Sequence, residues 1–267
     1  MALTAENVPS RSANTSNGEY EQPLTERLRT FLRLEFLYQQ LLFHTENESD
    51  WSSRAAISSL LEINAILMRG DVRSEVLKEL ERQIDTLQRF QSQPGVDNSR
   101  LSAILNNLNE LREDLQKTGP HFLQDLKDCE FLSAIKHRSA IPGGTCEFDL
   151  PDYSFWLRQD YPARLTALNR WIACLRPICD AVMEMMWLTR EGAPIEERIA
   201  ERGMFQYTVN RELPCRLLRV IVPAGENYYP EISGSQHRFT IRFMTWSDVD
   251  SRSVQIAEDI NFKFSIC

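Results

Sequence analysis

The stretch His237-Arg238-Phe239-Thr240-Ile241-Arg242-Phe243-Met244 alternates without a break. Successive residues of an extended strand point to opposite faces, so Phe239, Ile241 and Phe243 share one side while Arg238, Thr240 and Arg242 share the other. The first side needs a core. The second carries two guanidiniums four residues apart, ~14 Å along the strand, with a small hydroxyl between them. Taken alone this is an ordinary half-solvated strand with its arginines in water, and its meaning depends on the rest of the chain.

The C-terminus repeats the pattern. Ile260, Phe262, Phe264 and Ile266 fall on one face and Asn261, Lys263 and Ser265 on the other. Between about residue 202 and the end, the segments 205–210, 216–222, 237–244 and 259–266 read as strands separated by Pro, Gly, Asn, Asp and Ser. Upstream the apolar period is helical. Thr25 can cap a helix carrying Phe31, Leu34, Tyr38, Leu41 and Leu42. A second helix spans 51–69, with Gly70 as a left-handed stop. Segments 72–92 and 98–118 are strongly periodic and joined by Pro94-Gly95, which predicts an antiparallel helical hairpin. A fifth helix over 121–137 ends in Lys136-His137-Arg138, and two more are expected at 162–176 and from Pro177 to about 190. Residues 145–150, ended by Pro151, read as a short strand that joins the later sheet.

A sheet with one apolar face has to lie on something, and the helices are the candidate. The predicted class is therefore α+β, a mostly helical N-terminal domain (a helical bundle) packed with a smaller antiparallel β-sheet domain. The expected boundaries are a disordered tail over 1–22, a helical domain over 23–140 joined by the helical pair 152–191, and a β-domain made of 141–151 and 202–267. The tail assignment follows from a Ser-, Asn- and Thr-rich composition with no apolar period.

At 267 residues and 42% hydrophobic content the chain can bury a substantial core. Thirty Lys plus Arg against thirty-eight Asp plus Glu gives a net charge of -8, which opposes nucleic acid and anionic membrane as partners at long range. Any anion-binding role has to come from a local patch. No apolar run is long enough to span a membrane and no basic-then-apolar leader opens the chain, so a cytoplasmic protein is expected. Six dispersed cysteines, at 129, 146, 174, 179, 215 and 267, form no Cys-x-x-Cys and read as buried or incidental thiols.

Catalytic and metal patterns are missing from the sequence. His44, His121, His137 and His237 have no ligand-spaced partner, and Cys174 and Cys179 lie about 140° apart around a helix, so both read as core. Gly143-Gly144 lacks the remainder of a phosphate-binding loop and reads as a tight turn. No nucleophile elbow occurs and no acid and base pair stands out. No enzyme activity, cofactor or metal is expected. Trp246, next to the opening strand, could flank a groove. What survives is a cationic surface on an acidic protein. Arg238 and Arg242 share a face, Lys263 lies on the polar face of another strand, and Arg69, Arg138 and Lys136 end helices expected to approach the same rim. That is the composition of a site for an acidic peptide. The competing reading is a small-molecule phosphate- or nucleotide-binding protein that uses the 141–144 turn and the basic surface.

Many short segments also resemble one family in the same order. They include Pro23-Leu24-Thr25-Glu26, Leu32-Arg33-Leu34-Glu35-Phe36-Leu37, Arg69-Gly70-Asp71-Val72-Arg73, Pro94-Gly95-Val96-Asp97, Ile141-Pro142-Gly143-Gly144, Phe148-Asp149-Leu150-Pro151 and Trp171-Ile172-Ala173. Tyr229-Pro230-Glu231-Ile232-Ser233-Gly234 then leads into the opening strand. The chain resembles the ZapD family of bacterial cell-division proteins, from Pro23 to Cys267. The resemblance implies a homodimer with a helical and a β-domain in each protomer. It further implies binding to the C-terminal tail of the tubulin-like GTPase FtsZ, bundling of FtsZ filaments, and recruitment from the cytoplasm to the division septum at midcell. It carries tail binding onto Arg238, Arg242 and Arg69, and less directly onto Arg138, Lys136 and Lys263.

Overall fold

Thr25 opens the helical part of the chain, its Oγ1 accepting the Leu28 N–H at 3.2 Å, and α1 (Glu26–Thr45) follows. The computed structural model describes residues 17–267 except 120, 211, 213 and 214. Ser49 caps α2 (Asp50–Met68), which ends at Arg69 in the right-handed region. The left-handed stop expected at Gly70 is not used, because the Arg69 N–H donates to the Ile66 carbonyl and tightens the last turn instead.

Asp71 and Asp97 cap α3 (Val72–Phe90) and α4 (Asn98–Lys117), and Gly95 makes the connection with φ 87°. Arg73, in the first turn of α3, donates to the carbonyls of Leu115 and Gln116 at 2.9 and 3.2 Å. The start of one helix thus satisfies the free carbonyls at the end of the other, which fixes the antiparallel hairpin. Val76, Leu80 and Ile84 on one side and Leu101, Leu105, Leu108 and Leu115 on the other are buried, as the period requires.

Two helical expectations and one strand expectation are corrected. The 121–137 segment forms two helices, α5 (Gln124–Lys127) and α6 (Glu130–Ser139), because Cys129 is extended and Asp128 turns back to accept from Gln124 at 2.8 Å. Residues 145–150 form turns, not a strand, and lie with the helices; Pro151 opens α7 (Pro151–Leu157) in the first-turn position where its missing N–H costs nothing. The two helices expected around Pro177 are one, α8 (Tyr161–Glu191). A mid-helix proline costs about 3 kcal/mol. The turns beyond it bury Ile178, Val182, Met185 and Met186, each contributing roughly 1.5–3 kcal/mol, so burial outweighs the break.

The strands form two antiparallel sheets. The first contains β1 (Asn17–Pro23), β2 (Ile195–Ala200), β4 (Leu217–Pro223) and β8 (Ile260–Ile266), in the order β1-β4-β8-β2. The second contains β3 (Met204–Thr208), β5 (Tyr229–Ser235) and β6 (Arg238–Thr245), in the order β3-β6-β5, with β7 (Val254–Gln255) also paired to β6. The strand β1 corrects the disordered-tail assignment for 17–22, since it pairs with β4 from Asn17↔Pro223 to Pro23↔Leu217 and packs Tyr20 against the core. Residues 1–16, the rest of that tail, lie outside the described residues.

The apolar faces of the two sheets pack on each other. Phe239, Ile241 and Phe243 of the second sheet share a core with Leu218, Val220, Val222, Phe262 and Phe264 of the first. The Phe243 and Phe262 rings stand 5.1 Å apart, and Phe205 reaches Phe262 at 5.3 Å. The expectation that helices cover this apolar surface is therefore corrected: a second sheet does so, as in a sandwich. The hairpin turn from β2 to β3 links the two sheets, with Gly203 at φ 70° and no room for a Cβ against the Ile256 carbonyl.

The chain divides into two compact units, a helical one of Arg33–Trp187 and a second one that comprises the chain up to Leu32 and from Leu188 onward. The second unit holds both sheets.

Candidate functional site

Pairing register assigns every side chain of the second sheet to the core or to the outer face. Directly opposed residues share a face, so Thr208 and Ser235 flank Arg238, Gln206 and Ser233 flank Thr240, and Met204 and Glu231 flank Arg242. Tyr229 opposes Met244 on the same face. Arg238 and Arg242 are exposed while Phe239, Ile241 and Phe243 are buried, as the alternation requires. Strand β6 is central, so its backbone is fully paired and only its side chains can act.

The two arginines have different neighbours. Arg238 donates from Nη2 to the neutral Gln206 Oε1 at 3.3 Å and has no carboxylate within 4 Å among the described residues. Arg242 meets the Glu231 carboxylate at 3.2 Å, with the side chains 49% and 42% exposed. An exposed pair of this kind is worth at most about 1 kcal/mol and is screened by salt. Arg242 is engaged, then, without being locked.

Past Arg242 the face turns apolar. Met204 and Trp246 are exposed, and the Trp246 ring lies 6.0 Å from Tyr229. Thr245 Oγ1 donates to the Asn227 carbonyl at 2.6 Å and ties the adjoining loop down. The outer face therefore runs from a polar, cationic end at Arg238 to an aromatic and thioether end at Trp246 and Met204, which is suited to a peptide with acidic and apolar side chains. Sequence reading found the arginines and Trp246 but missed Met204, Tyr229 and Glu231. Pro230 and Gly234 hide the strand that carries two of them, although Tyr229, Glu231 and Ser233 do alternate with Pro230 and Ile232.

Lys263 is not part of this surface. It projects from the outer face of the first sheet, on the far side of the shared core, and pairs with Glu197 at 3.1 Å. There it borders a cleft of about 560 Å³ that also includes Ile199, Ile221, Pro223 and Asn261. The single rim expected for all the cations is corrected in this respect. Arg69, Lys136 and Arg138 belong to the helical unit and are exposed; Arg138 meets Asp149 at 3.7 Å, while Arg69 and Lys136 have no carboxylate within 4 Å among the described residues.

The Gly143-Gly144 turn is tight, as the sequence suggests. The Gly144 N–H donates to the Ile141 carbonyl at 2.9 Å and the Cys146 N–H to the Gly143 carbonyl at 3.0 Å, so these amides are committed internally. A Cβ on Gly144 would sit 2.4 Å from the Arg138 carbonyl, which explains the glycine without a phosphate. Of the two cysteines read as core, Cys179 is buried and Cys174 only partly so. In the helical unit, burial pushes the Asp180 carboxyl up while a 2.7 Å hydrogen bond from the Tyr38 hydroxyl works against the shift. This is an internal tie between α1 and α8. Among the described residues no group of three His, Cys, Asp or Glu side chains could hold a metal, and no helix is long and apolar enough to cross a membrane.

These features define an α+β protein whose most distinctive surface is a sheet face that joins arginine to exposed methionine and tryptophan. The chain belongs to the ZapD family, described as cell division proteins, whose model matches residues 32–242. It is 37% identical over 248 residues to cell division protein ZapD of Methylococcus capsulatus, a match covering 93% of this chain and 97% of the relative. The Coxiella burnetii protein of the same name is 33% identical over 250 residues, covering 93% and 96%, and that of Yersinia pseudotuberculosis 34% over 253 residues, covering 95% and 98%. Its role is in cell division.

Proposed function

We propose that the protein is a non-enzymatic division factor that binds the C-terminal tail of FtsZ on the outer face of the second sheet. As a homodimer it cross-links FtsZ filaments into bundles that stabilise the ring at midcell, acting from the cytoplasm. The observation that carries this reading is the composition of that face: two exposed arginines, one of them free of carboxylates, leading to an exposed Met204 and Trp246. Family membership supports it, since the match to the ZapD model runs as far as Arg242 and so includes both arginines of β6. Arg69 and Lys136 are secondary contacts in this proposal, Arg138 a weaker one because Asp149 engages it, and Lys263 lies off the docking face.

Each tail contact is modest, because charge-assisted hydrogen bonds at an exposed surface are screened. Weak sites are enough for bundling. A dimer offers two of them and a filament displays many tails, so avidity multiplies the effect without new contacts. Co-sedimentation with FtsZ polymer tests the proposal. The protein should pellet with filaments of intact FtsZ, pellet much less with filaments lacking the tail, and lose binding as salt rises. Equal pelleting with both filaments would refute tail recognition.

A further inference from the structure

We propose that Glu231 occupies on Arg242 the place that a carboxylate of the bound peptide takes, and that the acidic tail binds by displacing it. The inference rests on the tail-binding reading above and assigns a role to a residue on the opposite strand from the arginines. Glu231 lies directly across from Arg242 in the β5–β6 register and is the one carboxylate on the outer face of this sheet among the described residues. Its contact with the guanidinium is Oε2 accepting from Nη2 at 3.2 Å, a single-point engagement of a group built to donate two parallel bonds to a carboxylate.

The same unit shows what a permanent ion pair looks like in this protein. Glu21 receives Arg190 through two bonds, Nε to Oε1 at 2.7 Å and Nη2 to Oε2 at 2.9 Å, with Arg219 beside it and little solvent access. Glu231 and Arg242 differ in each respect: one contact, both side chains nearly half exposed, and no second cation on the glutamate among the described residues. Such a pair opens at little cost. An incoming carboxylate that can approach the guanidinium with both oxygens replaces a single contact by a paired one, and Glu231 swings into water. Two pleats away, Arg238 has Thr208 and Ser235 directly across from it and reaches diagonally to the neutral Gln206, with no acid beside it among the described residues, so it is available to a negative charge from the start. The face thus holds one open cation and one gated one. Glu231 keeps Arg242 extended and discourages ligands that lack a carboxylate at that point.

Fluorescence anisotropy with a labelled FtsZ C-terminal tail peptide tests this. Glu231→Gln should bind the peptide about two- to fivefold more tightly than the native protein at low salt, the factor by which an exposed ion pair can hold an equilibrium back, and the difference should shrink as salt rises. Gln206→Glu, which gives Arg238 the same internal competitor, should weaken binding by a similar factor. Glu231→Gln binding equally or less tightly would overturn the proposal, because a residue that merely positions Arg242 loses affinity when neutralised. Gln206→Glu binding as tightly as native would also overturn it. A native protein that binds no peptide, or that binds equally well with Arg238→Glu, would instead remove the tail reading on which this one depends.

Discussion

The two outer faces of the sandwich are built by the same alternation and differ in what their charges do. On the first sheet the cations are matched by acids: Lys263 meets Glu197, and Arg219 lies against Glu19 and Glu21. Arg190 joins Glu21 there, and the neighbouring Leu217 and Ser265 are buried, so that end is sealed. On the second sheet two arginines face a single glutamate, and Met204 and Trp246 stand exposed beside them. Alternation decides which residues reach water. The cross-strand partner decides whether a charge that reaches water is free to bind anything.

The comparison can be broken most completely by destroying the core both faces share. Ile241 is fully buried between Arg238 and Arg242 in sequence, and Ile241→Glu would place an unpaired carboxylate among phenylalanines at a cost of several kcal/mol. The expected outcome is loss of the cooperative thermal transition and of the sheet signal in circular dichroism, with both outer faces lost together. A folded Ile241→Glu variant would show that the inner and outer faces have been assigned the wrong way round.

A smaller effect sharpens the comparison on the binding side alone. Arg238→Glu and Arg242→Glu should each reduce affinity for the FtsZ tail by about tenfold or more while the melting temperature moves by only a few degrees, since both side chains are solvated. Arg242→Glu should be the more harmful of the two, because it also sets two carboxylates opposite each other beside Glu231. Smallest of all is Lys263→Glu. It loses the Glu197 pair on the other face, so tail affinity should stay within about twofold of native and stability should fall by about 1 kcal/mol or less, measured by peptide titration and denaturant unfolding. If Lys263→Glu proved as damaging to binding as Arg238→Glu, the distinction between the faces would fail.

The first four helices, the strands β3, β4, β6 and β8 and the in-out assignment of β6 were legible because each follows from a period that local sequence carries, whereas β2, β5 and β7 were not read as strands. What sequence could not supply was the partner of each apolar face. Phe262 and Phe264 require burial, but nothing local says that Phe205, Phe239 and Phe243 provide it rather than a helix. Strand β1 was missed because a Ser- and Asn-rich lead-in masks Gly18 to Pro23, whose pairing is with the far-off segment from Leu217 to Val222. Pro177 reads as a helix start, and only the burial beyond it shows why α8 runs through. At the candidate site the arginines announce themselves by spacing. Glu231, which changes the meaning of Arg242, becomes visible only once β5 is laid against β6.

Methyl NMR of the methionines tests the docking face most directly, because Met204 lies exposed on it while Met185 and Met186 are buried in the helical unit. Titration with the FtsZ tail peptide should shift the Met204 methyl resonance, with little change at Met185 and Met186. A Met204 signal that stays in place at saturating peptide would contradict docking on the outer face of the second sheet.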